Sequence, residues 1–387
     1  MNKKHQVVII GSGPIGLSAA LLFAHNGIDV GIILDDKKLV KKSVRPTRLF
    51  AIANGSYEIL KDVIDLTNQS QPINHIRIVD DNSQAKVDFI PHDIGLDIFG
   101  IMIDENVLID LLYSKLLETN ITTYDTRGDM DIIQGEFFAE VQLQTNKLYA
   151  PLIIACDGKY SAIRNKLSVS TKQYDYNQTA IVIDIKHSDW PHNGVAVEKF
   201  TPNGPFAILP KYEENGTTSS IVWVEKGHLN NLDCFTKNEI KKLILRKLDG
   251  YLGNIELISK PITYNIQLLQ SATRFNKRVV FIGDAAQGIH PIAGQGFNLG
   301  LRDITTLIQI IKESIEIGLD YGDRNSLSRY SKAREFDVNI MIGSTTIINS
   351  LFANDILPVK IIRRLGLNLF DKTSYVKRSI MKYASGL

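Results

Sequence analysis

A glycine-rich turn near the N-terminus constrains the fold of this chain more than any other feature. It reads Gly11-Ser12-Gly13-Pro14-Ile15-Gly16 and follows Val7–Ile10, a short apolar run typical of a buried strand. Pro14–His25 predicts a helix, and residues 29–34 predict a second strand after a turn. Strand, glycine-rich turn, helix and strand in this order are the opening of a dinucleotide-binding fold.

Each glycine of this turn has its own predicted role. Gly11 allows the tight turn after the strand, Gly13 lets the backbone approach a pyrophosphate, and Gly16 lets the helix pack closely on the sheet. The free N–H groups of the helix N-terminus then face the anion. An acid that closes the second strand should bind the adenosine ribose, and Asp35 fits, with the adjacent Asp36 as the alternative.

Composition excludes several other classes of protein. The 387 residues suit about two domains. Lys and Arg total 44 against 42 Asp and Glu, so no strong overall field favours a nucleic-acid partner. The two cysteines, Cys156 and Cys234, form no CxxC pair, which argues against a metal site and a disulfide scaffold and favours a cytoplasmic chain. No apolar run reaches the ~18–20 residues that a membrane span needs.

Further along the chain, two kinds of pattern alternate. Leu152–Ala155 and residues 279–282 are continuous apolar runs of the buried parallel type, and residues 106–117 predict a helix. Residues 73–97 and 174–270 instead show alternating strand patterns with turn clusters, which predict a mostly antiparallel inserted sheet. From Asp303 onward the pattern is helical.

Two later motifs make the prediction more specific. One is CDGKYSAIR, from Cys156 to Arg164, and the other is GDAAQGIHPIAGQGFNLGLRD, from Gly283 to Asp303. Together with the first turn they resemble the flavoprotein aromatic hydroxylases (group A monooxygenases), whose pattern is GxGxxG, DGxxSxxR and GDxxHxxxPxxGQGxNxxxxD. Within that group they are most similar to the ubiquinone-biosynthesis hydroxylases, closest to the 2-polyprenyl-6-methoxyphenol hydroxylase branch. Gln287 stands where most relatives carry His.

The resemblance covers the whole chain, because residues 200–210, 221–223, 365–367 and 382–386 match the same family. It implies an α/β fold: a FAD-binding Rossmann-like fold of the glutathione-reductase type, with an inserted antiparallel β-sheet substrate domain and a helical C-terminus. The FAD-binding domain then comprises residues 1–72, 99–170 and 272–350. The substrate sheet comprises 73–98 and 171–271, and a basic helical segment comprises 351–387.

The motifs also have a direct physical interpretation. Asp284 ends a buried strand, where its carboxylate can accept hydrogen bonds from ribityl hydroxyls. Gly294-Gln295-Gly296 opens a helix from Phe297, and the N–H groups of that helix can face the N1/C2 edge of a flavin and stabilise its anionic reduced form. Glycine is expected there because a side chain would collide with the ring.

Other site residues come from the resemblance. Arg48 matches an arginine near the flavin phosphates, with Arg45 as the alternative. Asn106 either contacts the flavin or serves only as a helix N-cap. Asp157 and Gly158 contact flavin and reductant, and an ion pair between Asp157 and Arg164 is a structural alternative. The predicted cofactor-binding residues are Gly11, Gly13, Gly16, Asp35, Arg48, Asn106, Asp157, Gly158, Gly283, Asp284, Gly294, Gly296, Phe297 and Asn298.

For catalysis, His290, Pro291 and Gln295 are predicted to lie at the flavin edge and line the substrate, and no residue identifies itself as a base. The implied reaction is hydroxylation of a prenylated (methoxy)phenol with O2, through a flavin C4a-hydroperoxide, after NAD(P)H reduces FAD. Transient NAD(P)H binding is expected because the chain has no second GxGxxG. The alternatives are a prenyl-lipid reductase on the same fold and a flavin-binding scaffold among other ubiquinone-synthesis proteins.

The last thirty residues carry a local basic excess. Residues 358–387 hold seven Lys or Arg against one acid, interleaved with apolar residues. Basic amphipathic helices favour anionic membrane surfaces. Two interpretations remain: a peripheral attachment to the inner face of the membrane, or a solvated helix face packed on the flavin domain.

Overall fold

The computed structural model describes residues 2–35, 48–80, 86–126, 130–201, 203–227, 235–289, 294–352 and 374–387. The strands of these residues are β1 (Asn2–Lys4), β2 (Val7–Ile10), β3 (Val30–Leu34), β4 (Leu49–Ala53), β5 (Gln71–Pro72), β6 (His75–Asp80), β7 (Lys86–Phe89), β8 (Gly100–Asp104), β9 (Thr122–Asp125), β10 (Asp131–Gln134), β11 (Ala139–Gln142), β12 (Lys147–Ala150), β13 (Leu152–Ala155), β14 (Thr171–His187), β15 (Val195–Thr201), β16 (Gly204–Pro210), β17 (Thr218–Lys226), β18 (Ile255–Leu257), β19 (Ile262–Ser271), β20 (Phe275–Asn276), β21 (Val279–Phe281) and β22 (Gln287–Gly288).

The α-helices of the described residues are α1 (Pro14–His25), α2 (Asn54–Lys61), α3 (Glu105–Leu117), α4 (Ala162–Lys166), α5 (Lys237–Leu248), α6 (Gly296–Glu316), α7 (Arg324–Phe352) and α8 (Ser374–Ser385). Short 3₁₀ turns lie at Thr67–Gln69, Pro91–Ile94 and Gly283–Ala285. No helix among the described residues is both long and apolar enough to cross a membrane.

The nucleotide-binding sheet has the order β20-β21-β13-β2-β3-β9, and all its neighbours pair in parallel except β20 with β21. Its central strands are fully buried, which suits continuous apolar runs covered on both faces. The predicted bounds of β2, α1 and β13 are confirmed. β3 begins one residue later than predicted, β21 ends one residue earlier, and α3 begins one residue earlier.

The inserted sheet has the order β22-β19-β14-β17-β16-β15-β6-β7, with β18 paired to β14. It is antiparallel as predicted, except that β6 pairs in parallel with β15. This exception arises because β6 and β7 come from an early segment of the chain and join the sheet beside a strand more than one hundred residues later.

The two faces of the inserted sheet pack against different partners. Val197 and Trp223 belong to a core cluster with Ile240 and Ile244 of α5. On the opposite face, Ala196 and the partly buried Ile78, Leu209 and Ala51 pack in a cluster that includes Met102 of β8. We call this second surface the inner face, because β4 and β8 connect it to the nucleotide-binding part of the chain.

Three parts of the fold were not predicted. A four-stranded sheet forms in the order β1-β12-β11-β10, and a three-stranded sheet forms in the order β4-β8-β5. The helix α5 interrupts the region predicted as strands, and a capping box between Thr236 and Glu239 begins it.

Candidate active site

The glycines of the first turn are required for different reasons. A Cβ at Gly11, whose φ is +143°, would lie 2.5 Å from the carbonyl oxygen of Cys156, and a Cβ at Gly16 would lie 2.1 Å from that of Gly11. A Cβ at Gly13 would meet no atom of the chain within 4 Å. Packing within the protein therefore demands Gly11 and Gly16, whereas the space beside Gly13 fits a pyrophosphate.

The N-terminus of α1 lies beside that space. Gly13 is its N-cap residue, Pro14 is at the first turn, and no side chain caps the helix. The hydroxyl of Ser12 accepts a hydrogen bond from the backbone amide of Asp35 at 2.5 Å. This bond ties the end of β3 to the glycine turn and brings the predicted ribose ligand beside it.

Arg48 and Asp284 are brought into electrostatic range of each other. Arg48 donates to Glu105 at 3.0 and 3.2 Å. Partial burial acts to lower the pKa of Arg48, but the carboxylates of Glu105 and Asp284 raise it above its usual value. Burial raises the pKa of Asp284, and the positive charges of Arg48 and Lys159 limit that rise. The result is a half-enclosed carboxylate between two cations.

Asp157 and Arg164 do not form the ion pair that is the structural alternative for these residues. Asp157 Oδ2 instead accepts a hydrogen bond from the backbone amide of Ile163 at 3.1 Å, which satisfies a donor at the start of α4. Arg164 donates to the carbonyl oxygens of Ala285 at 2.9 Å and Lys159 at 2.8 Å. The guanidinium therefore connects the two motifs, while the buried Oδ1 of Asp157 has no partner among the described residues.

Asp303 fixes the turn that carries Gly283 and Asp284 through hydrogen bonds. Its fully buried carboxylate accepts from the Gly283 amide at 3.0 Å, the Gln287 side chain at 3.0 Å and Arg334 Nε at 2.6 Å. Asp303 is the last residue of the long motif, and the motif alone predicts no separate role for it. Gln287 donates its side-chain amide to this carboxylate.

The start of α6 is fixed against β4. Gly294 has a φ of +61°, and a Cβ there would lie 3.0 Å from the Cβ of Ala51. The side chain of Asn298 accepts from the Ala53 amide at 2.9 Å and donates to the Ala51 carbonyl at 2.9 Å. The ring of Phe297 stacks on Phe50 at 5.2 Å. Both side chains contact protein, so a role in cofactor binding would come through the main chain they position.

At this helix start, a Cβ at Gly296 would meet nothing within 4 Å. Gln295 is the N-cap residue of α6, and its buried Oε1 has no partner among the described residues. An uncompensated buried amide oxygen is unfavourable. Gln295 and Gly296 therefore leave both a polar group and open space at this helix start.

Some predicted residues are placed differently or cannot be placed. Asn106 is partly buried but is not an N-cap, because α3 begins at Glu105 and its N-cap residue is Asp104. Gly158 adopts a φ of +87° with open space beside it. His290, Pro291, Asp36 and Arg45 lie outside the described residues.

No sequence pattern predicted a site role for Lys159 or Tyr264. Lys159 lies close enough to Asp284 for the two charges to act on each other, although burial lowers the pKa of the lysine. Tyr264, on β19 of the inserted sheet, has a pKa that burial raises and that Arg48 and Glu105 also influence. Tyr264 therefore brings the inserted sheet to the Arg48 cluster. The three sequence motifs carry no signal for a residue that lies so far from them along the chain.

The described residues fit FAD on three independent observations. Space without protein atoms lies beside Gly13 at a helix N-terminus. The carboxylate of Asp284 is coupled to two cations at the end of the neighbouring motif. Buried oxygens of Asp157 and Gln295 lack a protein partner.

Comparisons with known proteins agree with this geometry. A family model described as "FAD binding domain" matches residues 4–74 and 116–338. The ubiquinone hydroxylase UbiL of Rhodospirillum rubrum is 31% identical over 100% of this chain and 90% of its own length. The 3-demethoxyubiquinol 3-hydroxylase of Escherichia coli is 27% identical over 100% of both chains.

Among solved structures, the p-nitrophenol 4-monooxygenase PnpA of Pseudomonas putida has a TM-score of 0.76 at 17% identity, with 100% of this chain and 99% of that one covered. Together with the curated relatives, the fold and the site define an FAD-dependent aromatic monooxygenase, and the predicted fold class is confirmed. Within that class the chain belongs to the family of ubiquinone-biosynthesis flavoprotein hydroxylases.

Proposed function

We propose that this protein hydroxylates the aromatic ring of a prenylated methoxyphenol, an intermediate of ubiquinone biosynthesis, with O2 and NAD(P)H. One observation carries the proposal: the apolar inner face of the inserted sheet lies against β4 and β8, next to the Gly294 turn and the cluster of Arg48 and Asp284. A redox cofactor held by the motifs would therefore meet its substrate beneath an apolar surface.

The reaction is balanced as one ring C–H, O2, NAD(P)H and H⁺ giving a ring C–OH, H2O and NAD(P)⁺. Bound FAD supplies the redox chemistry, because it passes the two electrons of NAD(P)H to O2 so that one oxygen atom can enter the ring. The chain's own residues bind the cofactor, orient the ring and exclude water. We propose the motif residues as the cofactor site and the inserted sheet as the substrate-binding domain.

The beginning of α6 is proposed to stabilise negative charge on the reduced cofactor. This helix starts at Gly296 and has no acid in its first turn. Its N-cap residue is Gln295, and no side chain caps the helix by a hydrogen bond. Its aligned peptide dipoles place partial positive charge at that end. With glycines at 294 and 296, an aromatic ring system can approach the backbone amides directly.

The inner face is suited to a lipid-like substrate and to a dry reaction. Its cluster is built from apolar side chains, with Phe89, Phe99 and Met102 buried in it. Burial of a prenyl chain against such a surface is favourable by roughly 25 cal/mol per Å² of apolar area. The same surface excludes water that would otherwise divert activated oxygen into free peroxide. The name of the Escherichia coli relative, a demethoxyubiquinol hydroxylase, supports this substrate class.

The test supplies ¹⁸O₂, NADH or NADPH and 2-methoxy-6-prenylphenol to the purified FAD-loaded protein. The expected product carries one labelled oxygen on the ring, and peroxide release falls when the phenol is present. Saturation of an alkene without label would favour a prenyl-lipid reductase. Bound FAD with no phenol-stimulated NAD(P)H oxidation would favour a flavin-binding scaffold among other ubiquinone-synthesis proteins.

We further propose that α8 attaches the protein peripherally to an anionic membrane surface. One side of this helix packs inward, since Met381 is buried and the ammonium of Lys377 lies 5.5 Å from the centre of the Phe89 ring. The other side exposes Tyr375 and Ile380 together with Arg378 and Lys382. An apolar and basic exposed side matches an interfacial helix.

Charge reversal tests the attachment without deleting the helix. Arg378→Glu with Lys382→Glu should release the protein from anionic vesicles, at about 1 kcal/mol per charge near the surface. Lys377 is left unchanged because it packs on Phe89. The control pair Lys172→Glu and Lys260→Glu, at exposed lysines of the inserted-sheet region, should still co-sediment. Retention of the first variant would contradict the membrane proposal.

A further inference from the structure

A carboxyl group of β15 is directed to the inner face, where the surrounding surface is apolar. The alternation of side chains along β15 determines which face this carboxyl occupies. Val197 belongs to the cluster on the α5 side, and Lys199 donates to the carbonyl of Lys247 at the end of α5. Ala196 belongs to the inner-face cluster. Because successive side chains of a strand point to opposite faces, Glu198 shares the inner face with Ala196.

The immediate neighbours of Glu198 are hydrophobic. It pairs with Ile78 of β6 on one side and with Ala207 of β16 on the other, and Ala207 pairs in turn with Val222. Burial is the one resolved influence on its ionisation, and no hydrogen bond or charge acts on it from the described residues. The residue as a whole nevertheless keeps partial solvent accessibility, so it is not fully sealed in the core.

We propose that Glu198 is the general base that takes the phenolic proton of the substrate during hydroxylation. This inference rests on the proposed function. The inner face holds the ring next to the Gly294 turn, and Glu198 is the carboxylate on that face with no protein partner among the described residues. An isolated carboxylate on an apolar surface would bind a hydroxyl donor of the substrate through a charge-assisted hydrogen bond.

Glu198 takes up one proton and returns it within each reaction cycle. The carboxylate accepts the phenolic proton, which raises the electron density of the ring at the positions ortho and para to that oxygen. The ring's electron pair forms the new C–O bond as the O–O bond derived from O2 breaks, and the other oxygen atom leaves as water. The hydrogen on that carbon then leaves as a proton when aromaticity is restored. Protonated Glu198 returns its proton to the original phenolic oxygen and is ready for another cycle.

Its ionisation is suited to this role near neutral pH. Burial raises the pKa of Glu198 from 4.5 to about 7, which is where a general base works best in neutral solution. Among the charged groups on the elements packed against the inner face, Asp80 shares that face two residues beyond Ile78, where it pairs in register with Phe200 rather than with Glu198. Lys211 is bound to Asp104 and Asp184, and Lys377 lies over Phe89. Residues 338–352 of α7 contain no titratable side chain.

The first experiment compares the pH profile of kcat/KM for 2-methoxy-6-prenylphenol in the FAD-loaded wild type and Glu198→Gln. The wild type should show a rising limb with a midpoint near pH 7. The variant should be about 100-fold slower or more at pH 7, as expected for loss of a positioned base. Its activity should rise only as the pH approaches ~10, where a phenol ionises without a base. Glu198→Asp should restore part of the limb.

A matched control removes a carboxylate from an exposed position of the same sheet. Glu256→Gln lies on β18 and should leave both the rate and the pH profile unchanged. If Glu198→Gln keeps the wild-type limb near pH 7, the assignment of the base is wrong even though hydroxylation itself stands.

The second experiment needs no turnover. The probe is 2-methoxy-4-nitrophenol, whose ionised form absorbs in the visible, bound to the oxidised FAD-loaded protein and titrated with pH. In the wild type the bound probe should titrate in two coupled steps, because Glu198 and the phenol share one proton, whereas Glu198→Gln should show a single step. Identical titrations in the wild type and Glu198→Gln, or loss of the two-step titration in Glu256→Gln, would overturn the proposal. If the probe titrations differ but the ¹⁸O₂ experiment gives no labelled product, Glu198 still stands as the proton acceptor and the hydroxylase function is refuted.

Discussion

The carboxylate of Asp303 accepts a hydrogen bond from the backbone amide of Gly283, with 3.0 Å between the nitrogen and Oδ2. These two residues begin and end the long motif, so the bond explains its length in physical terms. The turn that presents Asp284 is fixed to the helix α6, whose N-terminus faces the same site. Arg334 holds the other carboxylate oxygen at 2.6 Å, which sets the rotamer of Asp303.

Asp303→Asn is therefore expected to destabilise the fold rather than only the cofactor site. The substitution removes the negative charge opposite Arg334, which is almost wholly buried. Breaking a buried pair from one side costs about 3–5 kcal/mol. Urea unfolding of the cofactor-free protein measures the loss, with Asp110→Asn, at an exposed position of α3, as the control. A loss below about 1 kcal/mol would mean that other contacts hold the turn.

The first glycine turn allows a test that separates folding from binding. Gly16→Ala places its Cβ 2.1 Å from the Gly11 carbonyl oxygen, so the variant should fail to fold or should melt far below the wild type. Gly13→Val meets no atom of the chain near its Cβ, so the cofactor-free protein should fold, while FAD binding should be lost. Circular dichroism and retained FAD report the two properties. Full FAD occupancy in a folded Gly13→Val would place the pyrophosphate elsewhere.

The sequence predicted most accurately those elements that local patterns define completely. The strand β13 and the pair β2 and α1 were predicted to the residue, because continuous apolar runs end there at Gly or at a turn. The sheet β4-β8-β5 was missed because β4 and β8 pair across about fifty residues, and β5 has two residues. A strand that short has no period to detect, and nothing local specifies a distant partner.

The same limit applies to the site. The long motif predicted Asp284 and the family resemblance predicted Arg48, and the structure brings the two residues into electrostatic range. Neither could predict Tyr264, which reaches the cluster from the inserted sheet. Glu198 was hidden for another reason: Glu198 and Lys199 are adjacent in the strand, so one of the two must face inward, and the pattern alone does not say which one. The packing of Lys199 against α5 decides it.

The two motif aspartates should differ in their effect on the cofactor. Asp284→Ala is expected to weaken FAD binding by about 1.5–3 kcal/mol through loss of a charge-assisted hydrogen bond to a ribityl hydroxyl. Asp157→Ala should weaken it less, since Asp157 already accepts from the Ile163 amide. FAD titration of both cofactor-free variants, monitored by flavin fluorescence, gives the two dissociation constants. Equal constants would contradict the assignment of Asp284 as the ribityl ligand.

The ionisation of Glu198 should also appear in the pH dependence of stability. The folded pKa of about 7 lies above the usual 4.5, so the native state favours the protonated carboxyl. Its contribution to the free energy of unfolding is fully present below pH 4.5 and is lost as the pH rises through 7. Glu198→Gln avoids that loss, because an amide does not ionise. Relative to the wild type it should gain stability between pH 5 and pH 8.5, by up to about 3 kcal/mol.

Urea unfolding of the wild type and Glu198→Gln at these two pH values measures the gain, and Glu256→Gln controls for the removal of a carboxylate. A gain of zero would show that Glu198 is already ionised well below neutral pH, and a group of that kind would be too weak a base to remove a phenolic proton.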